Sequence, residues 1–303
     1  MIKNFEQLLE TAKNQKKMRL AVAAAEDNDV LCAVVKASEL GLVEPILIGN
    51  KALIEKIAAE ENLNLSAYEL IHVEEIAEAA KLAVQLVREG RADFLMKGLI
   101  DTAVLLKAVL DKEKGLRTSS QLSHVMIYDV PSYHKFIYLT DGGMNIDPTL
   151  EEKVKIVKNA VDVAKALGVQ TVKVACIAAK EKVNDKMPAT VDAKALENLC
   201  KEGEFGIGVI VEGPLAFDLA VSKEAAIVKG FKSEIAGDTD ILMVPNIEVG
   251  NGIGKTMTYM AKAESAGVIM GAKVPVVLTS RADSYETKLN SIALGSVIAA
   301  NLL

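Results

Sequence analysis

Tryptophan is absent from these 303 residues, and all aromatics together make up only 4%. So few rings offer no stacking platform for bases, which argues against single-stranded nucleic acid as a ligand. Positive charge is also in short supply: 35 Lys and Arg stand against 41 Asp and Glu, a formal net charge of −6, with no basic block or face. A general polyanion binder is disfavoured, and any phosphate site must be local. No hydrophobic run approaches the roughly 18 residues of a membrane span, and the opening Met1-Ile2-Lys3-Asn4-Phe5-Glu6 lacks the apolar core of a signal peptide. Cysteine is limited to Cys32, Cys176 and Cys200, far apart and without CxxC or metal spacing. They read as reduced core thiols of a cytoplasmic protein. His72, His124 and His134 form no HxxxH pair, and no GxSxG elbow occurs, so neither zinc nor a serine hydrolase is indicated.

What is present is a core-forming repertoire. Half of the residues are hydrophobic, mostly Ala, Val, Ile and Leu, which suits helices layered on parallel strands. Short β-branched runs are expected as strands at 19–25, 45–49, 70–73, 94–97, 125–130, 136–140, 172–178, 207–211, 241–245 and 274–280. Amphipathic stretches alternate with them, as in Ile76, Ala79, Ala80, Ala83, Leu86 and Val87. That alternation predicts an α/β fold of βαβ crossovers and mainly parallel sheets. Only 125–140, joined through Pro131-Ser132-Tyr133, reads as an antiparallel excursion. At this length two domains are the better expectation. Asp141-Gly142-Gly143 ends a strand, and Asp147-Pro148 followed by Glu151 and Glu152 opens a long helix that stops at Gly168. The boundary is placed there, giving residues 1–143 plus 283–303 as the first domain and 144–282 as the second.

Each apolar strand stops in polar, Gly-rich or cationic residues, which is how an open α/β sheet builds an anion crevice at its carboxyl edge. Gly250-Asn251-Gly252-Ile253-Gly254-Lys255-Thr256 invites comparison with a P-loop, but Val249 stands where the first glycine belongs, and GxGxxG fails at Lys255. The remaining reading is a Gly-rich strand-to-helix turn with Lys255 at a helix start, suited to phosphate; the alternative is a plain tight turn. Ser280-Arg281 ends a strand, where a hydroxyl and a guanidinium can face an oxyanion or can simply satisfy a turn and pair with Asp283 or Glu286. Those two carboxylates form an Asp-x-x-Glu pattern at a helix start, where capping competes with catalysis. Glu212-Gly213-Pro214-Leu215 leads to Asp218, another strand end meeting a helix. Lys97-Gly98, Arg117-Thr118 and Ser119-Ser120 put further cations and donors at strand or loop ends.

Taken in order, Glu212-Gly213-Pro214-Leu215, Ile235-Ala236-Gly237-Asp238, the run from Val244-Pro245-Asn246 to Gly250-Asn251, and Ser280-Arg281 resemble the phosphate acetyl/butyryltransferase family. Residues 23–27, Met96-Lys97-Gly98 and 139–148 agree, so the resemblance covers essentially the whole chain, with details closer to the butyryl branch. It implies two α/β/α domains with an interdomain cleft, similar to the isocitrate/isopropylmalate dehydrogenase group, and a homodimer or higher homo-oligomer. The implied reaction is acyl-CoA plus phosphate giving acyl phosphate plus CoA, reversibly and without metal. No tightly bound cofactor is implied; coenzyme A is substrate and product, and neither nucleic acid nor membrane is a partner. By the same resemblance Arg281 holds phosphate and Ser280 assists the sulfur or the oxyanion. Gly250, Asn251, Lys255, Asn246, Lys97, Gly213 and Pro214 are the candidates for substrate binding. The chain departs from the acetyl pattern where an Asp farther along the last helix is replaced at Thr287 or Lys288, which leaves Glu286 and Asp283 as the nearest bases. The alternatives are a phosphate acetyltransferase, a non-catalytic two-domain anion- or CoA-binding protein, and a decarboxylating dehydrogenase, whose Asp cluster and nucleotide fingerprint are not found.

Overall fold

A computed structural model describes residues 1–279 and 283–302. The chain runs α1 (Phe5–Asn14), β1 (Met18–Ala23), α2 (Asn28–Glu39), β2 (Val43–Gly49), α3 (Lys51–Glu60), β3 (Glu69–His72), α4 (Ile76–Arg88), β4 (Phe94–Lys97) and α5 (Thr102–Val109). It continues through β5 (Ser123–Asp129), β6 (Ile137–Thr140), α6 (Leu150–Ala166), β7 (Val172–Ile177), α7 (Pro188–Lys201), β8 (Val209–Leu215), α8 (Phe217–Val221), α9 (Lys223–Val228), β9 (Ile241–Met243) and α10 (Ile247–Tyr259). It closes with β10 (Glu264–Met270), β11 (Val276–Val277) and α11 (Tyr285–Leu302). Strands and helices alternate as the sequence pattern demands, and the fold is α/β with mainly parallel pairing.

Two compact units share these elements. The terminal unit comprises Phe5–Ser120 and Ala266–Leu303, the central unit Met1–Asn4 and Gln121–Ser265. These divisions differ from the expected boundaries after residues 143 and 282. The reason lies in strand pairing: β5 and β6 form the antiparallel hairpin read from 125–140, and β6 then pairs in parallel with β9. The hairpin is therefore part of the central sheet, not the close of the preceding one.

In the terminal unit the strands lie in the order β3-β2-β1-β4-β11-β10, all parallel except β10. Strand β10 was not anticipated, because Ser265-Ala266-Gly267 reads as a loop by composition. It is buried from Ser265 onward, where small residues suit a strand pressed under a helix. Helix α11 is that helix, packed on α1 and α2 and buried on every side from Asn290 to Ala299. Its polar residues are accordingly bonded inside: Ser291 Oγ accepts from Gly267 N at 3.0 Å, and Ser296 Oγ donates to Leu42 O at 3.1 Å. Gly295 lets it approach closely, since a Cβ there would lie 2.7 Å from Val277 Cγ2 and 2.8 Å from Phe94 Cε2.

The central sheet runs β5-β6-β9-β7-β8, parallel apart from the hairpin. Its longest helix, α6, starts one residue after a Thr149 capping box: Glu152 N donates to Thr149 Oγ1, and Glu152 Oε2 accepts from Thr149 N at 2.8 Å. The cap is therefore Thr149 and not Asp147, because only Thr149 stands three residues before Glu152. The expected stop holds, with Gly168 at φ +82° following Leu167.

A charge cluster closes the amino ends of this sheet. Lys135, 8% exposed, bonds Asp238 at 2.9 Å and Asp240 at 2.7 Å, while Lys173 and His134 also bond Asp238. Burial pushes the Asp238 carboxyl up, but hydrogen bonds from Lys173, Lys135 and His134 outweigh it and hold the group well below the usual carboxylate range. A carboxylate depressed in the fold stabilises above its unfolded value of about 4 and loses that contribution as pH falls. Asp238→Asn should thus lower the urea midpoint at pH 7 and cost progressively less toward pH 3; a gap between the two proteins that is constant with pH would contradict the ion-pair account. Asp240→Ala, which strips Lys135 of its buried partner, should cost about 3 kcal/mol by the same measurement.

Candidate functional site

The carboxyl ends of the parallel strands offer one candidate surface in each unit. In the terminal unit, β1, β4 and β11 end together. Gly98 N donates to Ala23 O at 2.8 Å and Leu99 N to Ala24 O at 2.7 Å, so the turn after β4 is hydrogen-bonded to the turn after β1. Only glycine fits at 98, where a Cβ would stand 2.0 Å from Ala24 O; Ala24 itself is held at φ +57°. Asp27 caps α2 by accepting from Val30 N at 2.9 Å. Together Asp27, Asp29, Val30, Lys97, Thr279 and Lys288 line most of a cavity of about 120 Å³. Lys97 Nζ donates to Gly98 O at 3.2 Å.

Lys288 is 2% exposed, and its Nζ donates to Asp283 O at 2.6 Å and lies 3.5 Å from Asp29 Oδ2. In the sequence it stands out only as a departure from a family pattern. A lysine four residues before Ile292 on the apolar stripe of α11 was the available signal. Asp283 is half-buried and Glu286 exposed. Neither side chain caps the helix as their spacing suggested: Ser284 Oγ accepts from Thr287 N at 3.2 Å and takes that role. Ser280 and Arg281 lie outside the described residues; by connectivity they follow Thr279, which lines the cavity.

In the central unit the surface is built around Asp141, 2% exposed. Its Oδ1 accepts from Gly143 N and Met144 N, both at 2.9 Å, and its Oδ2 from His124 N at 3.0 Å and Asn145 Nδ2 at 2.6 Å. By sequence it marks a strand end; Asp141-Gly142-Gly143-Met144-Asn145 is also the pattern of a carboxylate that folds its own loop. Against this loop stands α10, capped by Asn246, whose Oδ1 accepts from Val249 N at 3.1 Å. Gly250 touches Gly142, where a Cβ would lie 2.5 Å from Gly142 Cα, and Asn251 Nδ2 reaches Gly142 O at 3.4 Å.

The Gly-rich segment is therefore helix, not a strand-to-helix turn. Gly250 and Gly254 lie a turn apart on the buried face, against Gly142 and Tyr128 respectively, so their missing side chains serve packing. Lys255 stands inside α10 rather than at its start, exposed, with Nζ 5.8 Å from the Tyr259 ring centroid. Gly213 and Pro214 are buried within edge strand β8, which runs to Leu215 instead of ending at Val211. An edge tolerates the missing N–H of Pro214, and a Cβ on Gly213 would meet Cys176 Cβ at 2.7 Å. Asp218 pairs with Lys229 at 2.8 Å. Arg117 and Thr118 lie beside Ala272 and Gly271, past the end of antiparallel β10 and so at the amino ends of the parallel strands. Among the described residues no group of three or more His, Cys, Asp or Glu is placed to hold a metal, and no helix is long and apolar enough to cross a membrane.

The family model described as phosphate acetyl/butaryl transferase matches residues 4–80 and 72–296. The chain belongs to this family of acyltransferases. It is 44% identical to phosphate butyryltransferase of Clostridium acetobutylicum over 99% of this chain and 100% of that one. It is 45% identical to phosphate acetyltransferase of Thermotoga maritima, over 97% and 99%. Among solved structures, a branched-chain phosphotransacylase from Enterococcus faecalis V583 superposes with TM-score 0.81 at 37% identity, covering 92% of this chain and 99% of that one.

Glycine packing in α10 is directly testable. Gly250→Ala should cost about 1–3 kcal/mol through overpacking against Gly142, whereas Gly252→Ala, which meets nothing within 4 Å, should add up to about 1 kcal/mol of helix stability. Urea titration of the two variants should give shifts of opposite sign.

Proposed function

We propose that this acyltransferase moves a short acyl group, butyryl or similar, reversibly between coenzyme A and inorganic phosphate in a ternary complex. The observation that carries this reading is the 44% identity to a phosphate butyryltransferase over the full length of both chains. In the direction of CoA acylation, the thiol sulfur attacks the acyl-phosphate carbonyl carbon. A carbon–sulfur bond forms, the carbon–oxygen bond to phosphate breaks, and the thiol proton passes to a base. A thiol with pKa about 8.5 gains from such a base, and holding both reactants together removes much of the barrier.

In this reading Arg281 holds the phosphate through paired hydrogen bonds, Ser280 assists the sulfur or the oxyanion, and Asp283 or Glu286 takes the proton. Lys97, at the end of β4, and Asn246, Gly250 and Asn251, at the start of α10, are further candidates for substrate contact. Lys255, Gly213 and Pro214 have weaker support: the first lies away from the helix start, the other two are buried in β8. Coenzyme A is consumed and released rather than kept. Free Cys32, Cys176 and Cys200 suit a reducing cytoplasm, and a homodimer or larger assembly is part of the proposal.

Purified protein given butyryl-CoA and phosphate without added metal should release CoA thiol in a phosphate-dependent manner; silence with every short acyl-CoA would discard the enzymatic reading in favour of a binding protein. Rates with acetyl-, butyryl- and isobutyryl-CoA decide between the butyryl reading and a phosphate acetyltransferase. Arg281→Ala should raise the phosphate KM by at least tenfold, the loss of one charge-assisted contact, with unchanged thermal unfolding. Asp283→Asn and Glu286→Gln, compared singly, should lower kcat only for the residue that acts as base.

A further inference from the structure

Strand order in the terminal unit reverses beside β1. The chain leaves β1 to lay β2 and β3 on one side of it, then returns to lay β4 on the other, giving β3-β2-β1-β4 with every pair parallel. In open α/β sheets a ligand crevice lies outside the carboxyl ends of the strands at such a reversal, because the connections on its two sides diverge. The turn after β1 forms one wall of that crevice. It is fixed from both sides: Ala25 N donates to Ile48 O at 2.9 Å toward β2, while Ala23 O and Ala24 O accept from Gly98 N and Leu99 N toward β4.

Glu26 stands in this turn, half-buried. Its Oε2 is shielded, no donor among the described residues reaches it, and it presses on Gly49, where a Cβ would lie 1.9 Å away. Other carboxylates at strand ends are satisfied: Asp27 accepts from Val30 N, and Asp141 from four N–H donors. A buried carboxylate oxygen without a donor costs stability that an amide of the same shape would spare. Kept at a ligand crevice, it is an acceptor for a donor from outside the fold. The last torsion of a glutamate is soft, so a small turn of the carboxylate brings an oxygen out from Gly49. Phosphate and acyl phosphate present negative oxygens that a carboxylate repels, whereas coenzyme A brings amide N–H and hydroxyl donors along its length. We infer that Glu26 is a binding residue for coenzyme A, its carboxylate accepting a hydrogen bond from an N–H or O–H of that substrate. The inference rests on the reading of the chain as a CoA-dependent acyltransferase. The thiol proton goes to a separate base.

The test is Glu26→Ala and Glu26→Gln, read by calorimetric titration with CoA, by thermal unfolding, and by KM for butyryl-CoA and for phosphate. Glu26→Ala should weaken CoA binding by about ten- to a hundredfold, the range for one hydrogen bond to a charged group. Glu26→Gln should weaken it by about five- to tenfold, since a neutral acceptor replaces a charged one of roughly twice the strength. The butyryl-CoA KM should rise in parallel, and the phosphate KM should stay within twofold. Glu26→Gln should melt at or above wild type, because its amide is cheaper to bury than an unpaired carboxylate. A Glu26→Gln protein that binds CoA within twofold of wild type overturns the inference, as does one that melts well below wild type or whose phosphate KM rises as much as that for butyryl-CoA. If wild type releases CoA with phosphate and the variants bind CoA as tightly, this inference alone fails. If wild type neither binds nor releases CoA, the functional reading fails first and takes the inference with it.

Discussion

Main chain packed directly on main chain, at the carboxyl ends of the parallel strands, is the constraint that the candidate surfaces depend on. Gly98 lies against Ala24 in one unit and Gly250 against Gly142 in the other, at separations that leave no room for a Cβ. A loop whose backbone rests on another backbone has few ways to move, because no side chain between them can change rotamer. Both turns are therefore set by covalent geometry and hydrogen bonds, and the side chains they carry inherit that definition. This is the preorganisation a two-substrate transfer uses, since holding both reactants in place removes part of the barrier.

The buried charges follow one rule with different outcomes. Asp141 is satisfied by four neutral N–H donors and folds its loop around itself. Lys135 is satisfied by two carboxylates and ties β6 to the chain entering β9. Lys288 is satisfied least. Lys255, by contrast, stays in water, where an ammonium costs nothing and fixes nothing. A formal net charge of −6 gives no general attraction for anions, so the placement of individual cations matters more than their count.

Architecture was legible because period carries it: alternation of 2 and 3.6 gave the strands, the hairpin and most helices, with β10 lost where Ser265-Ala266-Gly267 hides a strand behind loop-like composition. The family was legible because several short motifs recur in order. Individual roles were less so. Glycines at 250, 252 and 254 suggest an anion loop when read alone, yet those at 250 and 254 are what a helix needs to lie against Gly142 and Tyr128. Tertiary contact decides between those readings, and no local pattern encodes it. Asp141 and Lys288 were passed over for the complementary reason: a lone Asp after a strand and a lone Lys on an apolar stripe look ordinary until burial is known.

Acyl-chain preference illustrates how far overall similarity can reach. The chain is as similar to an acetyltransferase, at 45%, as to a butyryltransferase, at 44%. One methylene in an apolar pocket is worth only about 1–3 kcal/mol, an amount that one or two side chains can supply or remove. Substrate length can therefore change while nearly all of the sequence, and all of the fold, stays the same. The catalytic chemistry is shared across such a change because it acts on the thioester and the phosphate, which every member presents alike. Identity over the whole chain consequently speaks to the reaction, and the acyl pocket must be read from rates.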